Sequence, residues 1–270
     1  MLAVALSGGS VQVVDPDTGV LVWDVPAIMF SGMATAAMAP NGAFVASVIP
    51  SDTRTPSTPT QMWHMRDTQT GTVVNEITAP EGTVGLRTLQ FSPCKRWIAV
   101  AGDDHRVFVW DLPIGDEVRI LETPSSYVFS LSFSGDGTLL AAATHNGVTS
   151  VWDTATWGIV KTWNGGANVC FSPTNCNLLA TTSNDEIYLW DIATHTVVWD
   201  LLGAGTFAVF SHDGRTIATV IDVDDADAAD EARDFLVLSA DTGVTVWILA
   251  GHREDVTCAS FSVRPQPQTP

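Results

Sequence analysis

The sequence predicts an all-β fold: six consecutive units of four short antiparallel strands. Three observations predict it. An apolar strand ending in Phe-Ser-Pro or Phe-Ser-x-Asp-Gly recurs along the chain. A second strand, ending in Trp-Asp or a variant of it, follows at a near-constant distance. A Thr-Gly or similar turn then leads into a closing strand. Six units in 270 residues average 45 residues each. Short alternating strands bounded by Gly, Asp, Asn and Pro turns are the signature of an antiparallel array. No helical periodicity of useful length interrupts it.

The elements can be justified in chain order. The chain begins with strands Leu2 to Leu6, Ser10 to Asp15 and Val20 to Val25. Residues 25–51 carry no charge and are long enough to span a bilayer. Pro26, Pro40-Asn-Gly42 and Pro50 break that run, so it reads as two buried strands joined by a turn. The first phrase appears as Met38-Ala-Pro-Asn-Gly42, Phe91-Ser-Pro-Cys94, Phe133-Ser-Gly-Asp-Gly137, Phe171-Ser-Pro-Thr-Asn175 and Phe210-Ser-His-Asp-Gly214. A sixth copy, Phe261-Ser-Val263, lies near the C-terminus. The second phrase is clearest at Val107-Phe-Val-Trp-Asp111, Thr149-Ser-Val-Trp-Asp153 and Ile187-Tyr-Leu-Trp-Asp191. Its degenerate copies are Val11 to Asp15, Met62 to Asp67 and Phe235 to Ser239. The closing strand is seen at Gly19 to Asp24, Thr196 to Asp200 and Gly243 to Trp247. A period of about 45 residues with four strands per unit fits the blades of a β-propeller.

Trp110-Asp111, Trp152-Asp153 and Trp190-Asp191, with Gly251-His252 near the end, resemble the WD-repeat (WD-40) propeller family. The resemblance covers the chain up to about residue 262. It implies a ring of blades whose strands run a to d from the channel outward. The chain starts at strand b and ends with a spare strand a, Val256 to Phe261, so the two ends together complete one blade. Closure of this kind protects otherwise bare strand edges. We expect six blades; a part of a longer array is the alternative. Residues 1–262 form the propeller in this reading, and 263–270 a Pro/Gln-rich tail. The family joins a loop His, a strand-b Ser or Thr, a turn Asp and the strand-c Trp in a buried hydrogen-bond network. Here Asp104, Asn146 and Asn184 stand at the turn position. His252 alone matches the loop His, and its blade carries Val14 where the Trp belongs. The resemblance therefore implies blades held more by apolar packing than by the network.

Composition bounds the function. Lys+Arg number 12 and Asp+Glu 30, a net charge of −18, and 46% of residues are hydrophobic. A phosphate-backbone binder needs clustered Lys and Arg, so nucleic acid is not an expected partner. The start of the chain lacks a basic segment before its apolar residues and reads as a strand, not a leader. The absence of targeting signals points to cytoplasm or nucleus, and no membrane is expected. Four Cys with no C-x-x-C pair give no zinc framework and read as free buried thiols.

Two insertions depart from the repeat, and both fall between strands b and c. Residues 50–61 are Ser/Thr/Pro-rich and include Arg54, with Thr55-Pro56 and Thr58-Pro59 as candidate phosphorylation sites. Residues 222–234 hold seven Asp/Glu and one Arg, including Asp224, Asp225 and Asp227. The second lacks the glycine and ligand spacing of a calcium loop. It reads as a solvated acidic lip able to attract a basic segment. The six His show no metal-ligand spacing, although His105 and His145 both fall in b–c turns. No nucleophile elbow or phosphate loop is present, so no catalytic residues, metal or cofactor are assigned. Trp23, Trp199 and Trp247 lie on outer strands, where one could anchor a partner.

The expected function is a non-enzymatic scaffold. It would bind a protein or peptide partner, basic or extended, as a component of a multiprotein complex. The expected contact residues are Arg54, Asp104, His105, Asn146, Asn184, Asp224, Asp225 and Asp227. Alternatives are a sensor propeller within a larger signalling protein and a propeller enzyme with a channel-mouth site.

Overall fold

A computed structural model describes residues 2–5, 10–15, 18–25, 35–49, 62–80, 83, 85–112, 118–124, 126–183, 186–222 and 233–252. The described residues contain strands and turns and no helix. They form six antiparallel sheets, taken here in chain order. The first has three strands, β1 (Leu2–Ala5), β2 (Val11–Val14) and β3 (Leu21–Val25). The second has β4 (Thr35–Met38), β5 (Phe44–Ile49), β6 (Met62–Asp67) and β7 (Val73–Thr78). The third has β8 (Leu86–Phe91), β9 (Trp97–Gly102), β10 (Arg106–Asp111) and β11 (Val118–Glu122). The fourth has β12 (Val128–Phe133), β13 (Leu139–Thr144), β14 (Val148–Asp153) and β15 (Ile159–Asn164). The fifth has β16 (Asn168–Phe171), β17 (Leu178–Ser183), β18 (Glu186–Asp191) and β19 (Thr196–Leu202). The sixth has β20 (Ala204–Phe210), β21 (Thr216–Asp222), β22 (Arg233–Ser239) and β23 (Thr245–His252).

Strand order within every sheet follows the chain, so each is a meander of the kind that builds a propeller blade. Among the described residues the first sheet has three strands where the others have four. Val256 to Phe261, the expected closing strand, and the tail at 263–270 lie outside the described residues. Residues 25–51 do contain two strands, β4 and β5, joined at Pro40-Asn-Gly42, where Gly42 takes φ 68°. Among the described residues no helix is long and apolar enough to cross a membrane.

Burial follows strand position. Every residue of β9 is buried, and β13 and β17 are buried along nearly their whole lengths. Second strands are covered on both faces, so they read as continuous apolar runs, Trp97-Ile-Ala-Val-Ala101 for example. The outer strands β7, β15 and β19 are largely exposed. A register shift recurs between the third and fourth strands at Val13/Val14, Met65/Arg66, Val151/Trp152, Leu189/Trp190 and Val237/Leu238. In the fourth and fifth sheets the second residue of the pair is the Trp of Trp-Asp. The repeated bulge turns the third strand as it enters its exit turn.

The chain divides into two compact units. One comprises residues 1–131 with 144–146, the other residues 132–143 with 147–270, and the fourth sheet has residues in both. In the first unit Trp63, Trp110, Phe108, Ile98 and Val100 share one buried cluster, with Trp63 and Trp110 edge to face at 5.6 Å. A smaller cluster joins Val11, Val13 and Val45 under Trp23. In the second unit one cluster centres on Leu179, Val151 and Phe171, and another on Ile187, Leu189, Ile217 and Leu238. Such cores, at about 25 cal/mol for each Å² of apolar surface buried, carry most of the favourable free energy.

The Asp of Trp-Asp has a turn-closing role. Asp153 Oδ1 accepts N–H bonds from Ala155 at 3.1 Å and Thr156 at 2.8 Å, plus the Thr156 hydroxyl at 2.8 Å. Asp67 repeats this with Gln69 and Thr70, and Asp191 with Ala193 and Thr194. Hydrogen bonds to the charged form hold the Asp153 and Asp67 carboxyls below the ordinary range, the Thr156 hydroxyl and the Thr70 N–H being the leading donors. Asp111 departs from this pattern: it is buried and paired to Arg96 Nη2 at 2.9 Å.

Parts of the hydrogen-bond network implied by the resemblance are seen among the described residues. Trp190 Nε1 donates to the strand-b hydroxyl of Thr181 at 3.0 Å. The Thr144 hydroxyl donates to Asn146 Oδ1 at 2.7 Å. Asp104 takes its donors from Arg106.

Candidate interaction surface

The b–c turn of the third sheet is Asp103-Asp104-His105, between β9 and β10. His105 takes φ 62°, and its carbonyl is fixed by the Thr123 N–H at 2.9 Å and the Thr123 hydroxyl at 2.8 Å. The turn is thus tied to the end of the outer strand, which leaves the His105 ring exposed. Asp104 turns inward, its side chain 7% exposed, and Oδ2 accepts Arg106 Nη2 at 2.7 Å and Nε at 3.1 Å. Its Oδ1 is buried and has no hydrogen-bond donor among the described residues. A buried acceptor left unpaired costs about 1–3 kcal/mol.

Asp103 holds Arg87 of β8 in a two-pronged pair through Nε–Oδ1 and Nη2–Oδ2. That bond raises the already high pKa of the guanidinium further. Gly85, at φ 57°, and Gly102 let the two segments approach; a side chain at Gly85 would run into the Asp103 carboxylate. Arg87 then lies over the Tyr127 ring at 5.3 Å. Tyr127 stacks flat on His145 at 4.6 Å and 12°, and the His145 N–H donates to the Tyr127 carbonyl at 2.9 Å. Phe129 stands edge-on to both rings at 5.2 Å and is itself 43% exposed. The result, all within the first unit, is an Asp103–Arg87–Tyr127–His145 run with Phe129 beside it. It offers a cation, ring faces and ring edges to solvent, as partner-binding surfaces do.

Three of the expected contact residues can be placed. Asp104 and His105 are in this turn, and Asn146 follows His145 in the matching turn of the fourth sheet. Arg54, Asn184, Asp224, Asp225 and Asp227 lie outside the described residues. His252 ends β23, but its side chain is not among those described. The sequence reading missed Arg87, Tyr127 and Phe129. One signal for them was available: Tyr127 is one of only two tyrosines, directly before an apolar strand. Among the described residues no group of three or more His, Cys, Asp or Glu is placed to hold a metal ion.

The outer-strand tryptophans divide into two kinds. Trp23 lies across Gly71 and donates Nε1–H to the Thr68 carbonyl at 2.7 Å. Trp199 does the same with Gly243 and the Ala240 carbonyl at 2.8 Å. Each ring lashes one sheet to the exit turn of the next, so neither is a free anchor. Trp247 is 62% exposed and continues an exposed apolar strip through Val246, Ile248 and Leu249. The thiols also divide: Cys94 is exposed, and Cys170 and Cys176 are partly covered, against the expectation of uniformly buried cysteines. Cys94 sits in a turn, where no strand face covers it.

Comparison with known proteins finds a family match over part of the chain. Residues 71–111 and 115–153 match the WD domain, G-beta repeat. The small ribosomal subunit protein RACK1y of Oryza sativa subsp. japonica is 31% identical over 136 residues, 48% of this chain and 40% of that protein. WD repeat-containing protein 1 of Gallus gallus is 26% identical over 104 residues, 37% of this chain and 17% of that protein. The spindle assembly checkpoint protein bub3 of Schizosaccharomyces pombe is 38% identical over 59 residues, 22% of this chain and 18% of that protein. These matches span two fifths or less of the relatives they reach.

Proposed function

We propose that this chain, a WD-repeat protein, is a non-enzymatic interaction scaffold that receives a basic protein segment on its b–c turns. The observation that carries the reading is the ring cluster of Phe129, Tyr127 and His145, with Phe129 and His145 exposed. Asp104 adjoins Asp103, which holds Arg87 over the Tyr127 ring of that cluster. An apolar or cationic side chain of the partner would cover the Phe129 face. Asp104, His105 and Asn146 contribute the polar contacts, and Arg87 and Tyr127 the shape.

The residues expected to join them are Arg54, Asn184 and the acids Asp224, Asp225 and Asp227. A charge of −18 with seven acids in residues 222–234 favours a basic partner through faster encounter. The relatives' printed names place RACK1y in the small ribosomal subunit and bub3 in the spindle assembly checkpoint, both multi-component settings. By analogy we assign this chain to a multiprotein complex, in cytoplasm or nucleus. Rigid strands fix the turns, so partner binding costs little ordering entropy.

Cross-linking mass spectrometry on a pull-down tests the reading. Wild type is compared with Asp104→Asn, with Tyr127→Ala/Phe129→Ala, and with Asp224, Asp225 and Asp227 changed to Asn. Partners cross-linked near residues 103–106 and 144–146 and lost in the first two variants support it. Partners retained in both place the interaction elsewhere and overturn it.

A further inference from the structure

The turn between the first two strands of a sheet is built in one form four times. It runs Ala39 to Gly42, Ser92 to Lys95, Ser134 to Gly137 and Ser211 to Gly214. In each, the fourth residue's N–H donates to the first residue's carbonyl, at 2.8, 2.9, 2.8 and 2.9 Å. The fourth residue is left-handed throughout, at φ 68°, 63°, 74° and 69°. Three of the four are glycine, the residue that adopts this conformation without strain. The third sheet uses Lys95. The third residue is Asn41, Asp136 or Asp213 in the other turns, and each accepts the N–H two residues on at 3.1 Å. The third sheet has Cys94 there, which meets only the Ser92 hydroxyl at 3.2 Å. This turn therefore forgoes both the glycine and the cap. A strained non-glycine residue kept where its sister turns use glycine is a pointer to function.

Lys95 lines a cavity of about 230 Å³ between the second and third sheets. Ala39, Asn41, Phe44, Met65, Phe91 and Leu112 line it with Lys95. Apolar cavities of ~150 Å³ hold a benzene ring, so this one takes a phenyl or isobutyl group. Lys95 is one of only two lysines in the chain. Its neighbour Arg96 is committed to Asp111 and lies 4.4 Å over the Trp97 ring. Lys95 has no ion-pair partner among the described residues. Asn41 spends Oδ1 on the Ala43 N–H, which leaves its amide N–H₂ as a donor.

We propose that this cavity is an anchor site for a partner peptide whose large apolar side chain is flanked by a carboxylate. The side chain fills the cavity, and Lys95 Nζ and Asn41 Nδ2 meet the carboxylate. The site lies at the opposite strand ends from the b–c turns and takes the opposite charge, so it is independent of the surface described above. The overall charge of −18 does not forbid an acidic segment. Beyond about 8 Å at physiological salt the remaining charges are screened, and the local cation decides.

The test titrates the whole ¹⁵N-labelled chain with acetyl-Asp-Phe-Asp-amide and with its neutral counterpart acetyl-Asn-Phe-Asn-amide. The acidic peptide should shift the amides of Asn41, Lys95 and Leu112 and bind about two- to fivefold more tightly, the range of an exposed ion pair. Lys95→Gly should abolish that preference without lowering Tm, because the sister turns use glycine at this position. Ala39→Leu, which fills the cavity, should abolish binding of both peptides. Equal binding of the two peptides, shifts confined to other residues, or a preference that survives Lys95→Gly would each overturn the proposal. So would saturation by 4-phenylbutyrate with no response to either peptide, which would make this a site for a small amphipathic acid.

Discussion

The indole of Trp199 lies across Gly243 and donates its N–H to the Ala240 carbonyl, joining one sheet to the exit turn of the next. Gly243 is left-handed at φ 70°, and a β-carbon there would come within 2.8 Å of the Trp199 ring. Trp23 and Gly71 repeat the arrangement, with 2.9 Å for the same approach. Position four after the left-handed turn residue is the lashing position. Lys161 occupies it after Trp157 and reaches the His195 carbonyl at 3.3 Å. An aromatic ring demands glycine beneath it, whereas a lysine tolerates histidine.

The glycine requirement separates space from conformation. Gly243→Ala and Gly71→Ala meet both a clash and left-handed strain. Gly19→Ala meets strain alone, since nothing lies within 4 Å of its β-carbon position at φ 69°. Left-handed strain costs about 1–2 kcal/mol. Urea unfolding should give Gly19→Ala a loss in that range and the other two a loss larger by roughly 1 kcal/mol or more. Equal losses at all three positions would show that the ring yields freely.

The two kinds of outer tryptophan should respond differently. Trp199→Phe keeps a ring but strips the donor from the Ala240 carbonyl, for an expected loss of about 1–3 kcal/mol. Trp247→Ser should change stability by no more than about 0.5 kcal/mol, as for other exposed sites. Acrylamide quenching checks the assignment independently: the most accessible component of the fluorescence should fall in Trp247→Ser and persist in Trp199→Phe.

Acid sensitivity should begin at His64. Its Nδ1 is 3.4 Å from Arg66 Nη2, which can only donate, and its Nε2 is 3.7 Å from Glu76. Burial and then the Arg66 charge lower its pKa from 6.5, against a smaller pull from Glu76. The unfolded chain therefore binds a proton more readily than the folded one, and stability falls as pH drops below 6.5. His64→Gln should flatten stability between neutrality and the onset of carboxylate titration. At lower pH, Asp67, Asp153 and Asp213, all held below 3.8 by hydrogen bonds, lose their contribution as they protonate. Urea midpoints across pH 4–7 for wild type and His64→Gln should diverge below 6.5. Parallel curves would remove His64 from the account.

Partner capture should depend on exposed rings more than on fold stability. Phe129→Ser removes a half-exposed side chain and should leave Tm nearly unchanged while weakening capture about tenfold or more, as for an aromatic anchor at an interface. Arg87→Ala should also weaken capture, because it frees Tyr127 from the guanidinium above it. Unchanged capture in both variants would sever the cluster from partner binding.

Strands and turns were legible because their chemistry is local. Asp67 and Asp153 close their own turns within three residues, so spacing alone reveals them. The uncharged run at 25–51 resolved into β4 and β5 because Pro-Asn-Gly cannot sit inside a helix. The interaction cluster was harder to read. Arg87, Tyr127 and His145 meet across three separate segments of chain, and no periodicity links them. Trp23 and Trp199 looked like free anchors because their partners, Gly71 and Gly243, belong to the following unit. Lys95 became conspicuous only when its φ could be set beside those of Gly42, Gly137 and Gly214.

The matched stretches 71–111 and 115–153 cut across the sheets. Each begins around an outer strand, β7 or β11, and ends on the third strand of the following sheet, β10 or β14. The matched stretch and the hydrogen-bonded sheet are therefore out of step by one strand. Loss of one whole stretch would bring β10 to β15 and still leave a four-stranded sheet, with no half-built remnant. Gain of one would insert a full period between two sound neighbours. A chain lengthened or shortened by one such stretch would keep whole sheets on both sides of the join, with no bare edge between them.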